Sequence, residues 1–484
     1  MSGNKAVLTQ VHTLLGDALK NSTGVGLTHW ESAAAPDGAD ALPGPTPDFF
    51  FVPTHMVEHR ERHGLAAHDA AFPARPMTAQ RLFFKPFEDF FIARRTGRKR
   101  RARIARASIG PVWAVLTQDP AASSAARAIA ALDAAIAAGS ANVAAFEAQM
   151  LAEAAIGAGR VIAHANEDAA FRDDLAERLG GEEGLEDFIE IARLLPVAPH
   201  FRAVQSAFRK PVATLTEEEL FDLRRLYGRA RAESPEAAPY LLLALMGRME
   251  APWRALSAYY HLAGARDEAL AGAGEDAAVI LETLFEDLES GARGLERRAV
   301  DDFDAGEASM RLNAFAELAE GIAGEAYRAA DKVALNRVEA CRDVAADCLA
   351  RFAEQSLAAM RKAMPVRHAG GSSRLMGLRP DYARALTPRV AGAAREASAF
   401  LAETGSFAAR LGRPKTAASI VRDAGEEARR YAGDLVLEIR AAEGEDRAAA
   451  RRMMEHALAV AAALAPKDEI DLLRERANAA AVTA

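Results

Sequence analysis

From about residue 121 to the end of the chain, apolar residues recur at spacings of three and four with little interruption, the signature of helices that each bury one face. The pattern predicts alanine-rich helices over 122–138 and 141–156, separated by Gly139–Ser140, and a helical pair over 167–179 and 182–195 around Gly180–Gly181, stopped by Pro196 and Pro199. The stretch 214–233 opens on Thr216 followed three residues later by Glu219, the capping-box spacing. The stretch 238–249 is apolar all round, as a central buried helix is. Long helices are predicted over 275–300 and 307–364. In the second, Val338, Cys341, Ala345, Cys348 and Phe352 alternate spacings of three and four and form a seam for a facing helix. The last hundred residues read as further helices, broken near Gly405, Gly412–Pro414, Gly444 and Pro466. "DLVLEI", 434–439, alternates weakly but sits between helical patterns, and no series of strands emerges.

The N-terminal part is patterned differently. Val7, Val11, Leu14, Leu15 and Leu19 predict a short helix over 4–20, followed by a Pro/Gly linker at 33–47. Residues 48–120 hold nine of the 21 phenylalanines and four of the eleven histidines. Within "RLFFKPFEDFFIARR", 81–95, Pro86 suits the first helical position and Glu88 and Asp89 suit the dipole of a first turn. Phe87, Phe90 and Phe91 then share a face, with Phe83 and Phe84 just upstream. Such a stripe is expected in a core, with an anionic membrane surface as the other reading. The chain therefore divides into 1–47, an aromatic and basic module at 48–120, helical hairpins over 121–300, a long-helix region over 301–365, a linker at 366–380 and a helical region over 381–484. The expected fold is all-α and multi-helical, built of hairpins and long helices, elongated or solenoid-like, without a substantial β-sheet. "WRALSAYY", 253–260, resembles the opening of a tetratricopeptide repeat through Trp253, Leu256 and Tyr260, with Ala269 where that repeat has a small residue. Ser257 stands where it has glycine, and no echo appears 34 residues away.

Composition refines this picture. Half the chain is hydrophobic by a broad count, yet much of that is alanine and aromatics are only 6%, so cores are expected to be thin layers between close helices. Arginine outnumbers lysine 51 to 9, the usage of a high-GC bacterial coding sequence. Cys341 and Cys348 lie about 10 Å apart along one helix, too far for a disulfide between them. So few thiols fit a reducing compartment. The N-terminal residues carry no apolar h-region, and the longest charge-free apolar run, 107–118, is well short of the roughly 20 residues of a membrane span. A cytoplasmic protein without a transmembrane segment is expected.

Charge supplies the most conspicuous local feature. The net charge is −8, yet Arg94, Arg95, Arg98, Lys99, Arg100, Arg101, Arg103 and Arg106 fall within thirteen positions, and no acid lies between Asp89 and Asp119. Residues 1–160 carry 17 basic against 14 acidic side chains; the remainder carries 43 against 54. Ala102, Ala105 and Ile109 give a narrow apolar stripe, so the segment is expected to be a helix ended by Gly110–Pro111. Eight neighbouring cations repel one another unless anions answer them. The answer is the acidic remainder of the chain, nucleic acid, or an anionic bilayer. Full engagement of phosphate would give a log K versus log salt slope of roughly −7. No zinc-finger spacing or nucleic-acid-binding aromatic motif accompanies the segment.

One further constellation carries chemistry. In "THMVEHRERH", 54–63, His55 and His59 share a helix face and Glu58 lies one turn from His55, so two imidazoles and a general base are placed for one zinc ion. Thr54 suits the cap of this helix and Gly64 its end. The H-x-x-E-H order resembles that of the inverzincin metallopeptidases, which implies a third ligand from a downstream glutamate; here no glutamate occurs between Glu88 and Glu147. His63 is about 12 Å along the helix from His55 and does not complete the set. The competing reading is an exposed helix with a Glu58–Arg62 pair. Phosphate-binding G-x-x-x-x-G-K, nucleophile-elbow G-x-S-x-G and C-x-x-C motifs are absent. "AGGSSRLMGLR", 369–379, has the glycines and arginines of a phosphate cup but the composition of a linker. The expectation is an interaction or scaffold protein without catalytic residues or cofactor, its partners other proteins, with the basic segment as docking element. The alternatives are a zinc-dependent hydrolase using His55, Glu58 and His59, and a nucleic-acid-binding protein.

Overall fold

The computed structural model describes residues 77–93, 99–264, 273–299, 303–368 and 377–482. The helix expected over 4–20, the linker at 33–47 and the motif of His55, Glu58 and His59 lie outside the described residues. Helices dominate: α1 (Ala79–Phe84), α2 (Ile109–Gln118), α3 (Ser123–Ala137), α4 (Val143–Glu167), α5 (Ala169–Arg178), α6 (Glu182–Leu194), α7 (Ala198–Ala207), α8 (Glu217–Glu233), α9 (Ala238–Met246), α10 (Leu256–Ala263), α11 (Ala273–Arg298), α12 (Ala305–Arg328), α13 (Lys332–Lys362), α14 (Pro388–Arg410), α15 (Ala418–Ala441), α16 (Gly444–Ala461) and α17 (Lys467–Val482). Among the described residues the strands form only a parallel pair, β1 (Phe91–Ile92) with β2 (Ile104–Ala105), and an antiparallel pair, β3 (Val366–His368) with β4 (Leu378–Pro380). The fold is all-α and multi-helical. No helix among the described residues is long and apolar enough to cross a membrane.

The helices begin where side chains satisfy their free N–H groups. Thr216 Oγ1 accepts from the Glu219 amide, and Glu219 returns the bond to the Thr216 amide, completing the capping box of α8. Asp168, Asp304, Asp331 and Thr387 cap α5, α12, α13 and α14, their side chains accepting from first-turn amides. Asp331 corrects one expectation: 307–364 is two helices, not one. Its carboxylate accepts from the amides of Val333 and Ala334, and Ala330 before it turns left-handed at φ 54°. Conversely, Gly405 does not break α14, because a lone helical glycine costs only about 1 kcal/mol and Leu401, Phe407 and Ala408 around it are buried. Pro196 falls within a 3-10 turn, Leu195–Val197, and Pro199 in the first turn of α7, so the chain is bent there and helix continues.

The chain divides into two compact units, Met1–Leu284 and Phe285–Ala484. In the first, the phenylalanine stripe is core, as expected. It is not one helix face, however: α1 tightens into a 3-10 turn over Lys85–Phe90, with Pro86 in its first positions, and then extends into β1. Phe83, Phe87 and Phe90 are fully buried. Phe83 packs on Phe84 and Trp113 at centroid distances of 4.7 and 5.7 Å, and Phe90 on Phe201 and Tyr240 at 5.2 and 6.2 Å. Every residue of α9 from Ala238 to Met246 is buried, matching its all-round apolar sequence. Alanine-mediated packing shows at Gly157 of α4, where an added Cβ would lie 3.2 Å from Ala122 Cα and Ala125 Cβ. Of the repeat-like fragment, Trp253 stands in a 3-10 turn ahead of the eight-residue α10, and Ala269 lies outside the described residues.

In the second unit the seam of Val338, Cys341, Ala345, Cys348 and Phe352 is buried along α13. A mixed layer of alanines with Met360, Leu401, Tyr431, Leu435, Ile439, Met453 and Leu458 fills the interior of the C-terminal helices. "DLVLEI" is part of α15, as its helical surroundings predict; Leu435, Val436 and Ile439 are buried while Leu437 is exposed. The stretch expected to be a plain linker instead pairs at its ends, Val366 opposite Pro380 and His368 opposite Leu378. Strand alternation puts Arg367 and Arg379 on one face, where both reach the buried Glu438 of α15 at 3.2 and 3.4 Å. That carboxylate is what the local sequence does not announce.

Candidate functional site

Helix α6 carries an anomaly for an amphipathic helix. Leu185, Phe188, Ile191 and Leu194 are buried as its periodicity demands, but so are Asp187, fully, and Glu190, at 7% exposure. Three residues apart, these carboxylates lie on one side of the helix. Buried carboxylates require partners, and the basic segment provides them. Lys99 Nζ lies 2.5 Å from Asp187 Oδ1 and 2.6 Å from Glu190 Oε2, and donates to the Arg103 carbonyl at 2.7 Å. The Glu190 Oε2 contact is ionic, without hydrogen-bond alignment. The Ala102 amide donates to Glu190 Oε1 at 2.8 Å; the Ala105 amide and Ser108 Oγ donate to Asp187 Oδ2 at 3.0 and 2.7 Å.

Over residues 99–108 this geometry overturns the helix expected for the segment. Residues Ile104–Ala105 pair in parallel with Phe91–Ile92, Ala102 adopts φ 56°, and a 3-10 turn over Arg106–Ser108 leads into α2. A left-handed alanine costs roughly 1–2 kcal/mol, and here its amide is held by Glu190. In a helix the amides of Ala102 and Ala105 bond to carbonyls four residues back; facing buried carboxylates, they bond outward instead. Gly110–Pro111 consequently lies in the first turn of α2, where proline's missing N–H is no loss, and opens a helix where it was expected to close one.

The remaining cations differ in setting. The Arg101 side chain passes 5.6 Å from the centre of the Tyr240 ring. Tyr240 is buried; burial, then the Glu190 charge, push its ionisation well above the ordinary tyrosine range, against the opposing pull of Arg193 and Arg101. Arg100 and Arg103 are half-buried, and Arg101 and Arg106 are exposed. Arg94, Arg95 and Arg98 lie outside the described residues. Thus Lys99 is drawn into a buried network with α6, and β1 and β2 bring the flanks of the basic segment together.

Beside this site lies a second buried ion pair. Asp89, read from the sequence as a helix-dipole residue, has a fully buried side chain, with Arg248 Nη1 at 3.1 and 2.9 Å from its two oxygens and Gln205 Nε2 at 3.3 Å. A Cβ on the adjacent Gly247 would lie 2.6 Å from the Asp89 carbonyl, so glycine is what lets the two segments meet. The thiols are inert: burial, then nearby Glu289 and Glu296, raise Cys341 and Cys348, the latter to about 11. Among the described residues no three His, Cys, Asp or Glu side chains are grouped to hold a metal ion.

Asp187, Glu190, Ser108 and Tyr240 are absent from the sequence-derived site. One signal pointed to Asp187: Gly184, Asp187, Ile191 and Leu194 follow the spacing of a core face, and an acid in that register demands a cation. No family model, curated protein or solved structure matches the chain.

Proposed function

We propose that this chain is a non-enzymatic, cytoplasmic interaction protein whose basic segment, Arg94, Arg95, Arg98, Lys99, Arg100, Arg101, Arg103 and Arg106, docks an acidic surface of a partner protein. The observation that carries the reading is the concentration of eight cations on a segment whose ends are tied to each other by β1 and β2 in a chain of net charge −8. A segment anchored at both flanks loses less freedom on binding than a free tail does. Clustered arginine favours carboxylate partners through its planar, bidentate donors. Over its described residues, 99–106, the docking element in this reading is not the helix the sequence suggested.

The test uses the full chain and a variant with Arg94, Arg95, Arg98, Arg101 and Arg106 replaced by serine, Lys99 being kept for its internal role. Binding of labelled polyglutamate at low salt is expected for the unaltered chain and lost in the variant. Unchanged binding in the variant removes the docking role. A single-stranded oligonucleotide retained far more strongly than polyglutamate assigns the segment to nucleic acid, and selective retention on phosphatidylserine vesicles assigns it to a membrane surface.

A further inference from the structure

We infer that Lys99 is a positioning residue which Asp187 and Glu190 withhold from the docking partner, and that this carboxylate pair is the seat that sets the backbone conformation over residues 99–108. The inference rests on the docking reading for its consequence and on the contacts of Lys99 for its substance. The ammonium group of Lys99 donates to Asp187 Oδ1 and the Arg103 carbonyl, and Glu190 Oε2 stands in ionic contact at 2.6 Å. The same two carboxylates take the amides of Ala102 and Ala105 and the Ser108 hydroxyl. Hence two acids on a single turn of α6 hold four donor groups spread over residues 99–108. A partner anion gains nothing by contacting Lys99, since doing so would strip its charge from two buried carboxylates. Arg106, exposed on the far side of the tie between β1 and β2, is by contrast a cation the segment can present outward.

The separation of roles is measurable. Three variants of the full chain serve: Lys99→Met, Ser108→Ala and Arg106→Ser. Hydrogen exchange at the Ala102 and Ala105 amides is expected to quicken roughly tenfold or more in Lys99→Met, to quicken less and chiefly at Ala105 in Ser108→Ala, and to stay unchanged in Arg106→Ser. Polyglutamate affinity is then followed against salt. Arg106→Ser is expected to reduce the slope of log K on log salt by about one, whereas Lys99→Met weakens binding with the slope kept. Unaltered exchange at both amides in Lys99→Met and Ser108→Ala overturns the inference, as does a slope lost equally in Lys99→Met and Arg106→Ser. Ser108→Ala supplies the exchange result if Lys99→Met fails to fold. Failure of the unaltered chain to bind polyglutamate removes the docking reading alone, because the exchange data still decide whether Lys99 holds the segment.

Discussion

Single residues show most clearly how this protein handles buried charge. Asp89 and Arg248 satisfy each other out of water, and Arg248 also donates to the Phe208 carbonyl. Removing one member of such a pair strands the other. We therefore expect Arg248→Met to lower stability by about 3–5 kcal/mol in denaturant unfolding, and Gly247→Ala to be destabilising because its new methyl meets backbone at 2.6 Å. His456 of α16 presents a different case. Its Nε2 is buried without a hydrogen-bond partner, and burial followed by the neighbouring Arg395 lowers its pKa below the ordinary 6.5, against the pull of a bond to the Ala363 backbone. Because the folded value is the lower one, the native state favours the neutral ring. This contribution to stability is fully present above pH 6.5 and is lost as pH falls through the folded value. His456→Gln is expected to flatten that acid-side loss in melting temperatures measured across the window. A slope indistinguishable from the unaltered chain's would show that other groups govern it.

At the scale of elements, legibility follows how local the determining interaction is. The capping box of α8 involves residues three apart, and both its bonds form as the sequence predicts. Thr216→Ala is expected to cost about 1 kcal/mol, read as a shift in denaturation midpoint. The break at Asp331 is equally local in origin, yet the apolar seam running through Val338 to Phe352 masks it in a periodicity reading, since the seam carries the helical pattern close up to the turn. The basic segment is the opposite case. Ala102 and Ala105 are good helix formers, but the groups that decide their backbone, Glu190 and Asp187, lie more than eighty positions away. Likewise Arg367 and Arg379 are pinned by Glu438, distant in sequence, so a stretch with linker composition closes as an antiparallel pair.

For the molecule as a whole, charge distribution matters more than total charge. A chain at −8 repels polyanions on average, so an anionic partner must find the basic segment locally. With Lys99 withheld by α6, the log–log salt slope of retention on nucleic acid is expected to be shallower than the roughly −7 of full engagement. A slope of about −2 or less would mean that few of these side chains meet phosphate together.

The sequence by itself determined the all-helical character, most helix positions, the Thr216 cap and the burial of the phenylalanine stripe and the α13 seam. These depend on periodicity and on contacts between near neighbours, which a linear reading captures. Tertiary structure alone decided the shape of the basic segment, the partners of Lys99 and Asp89, and the pairing of β3 with β4. There, burying a charge is so unfavourable that a distant opposite charge overrides what the local backbone prefers.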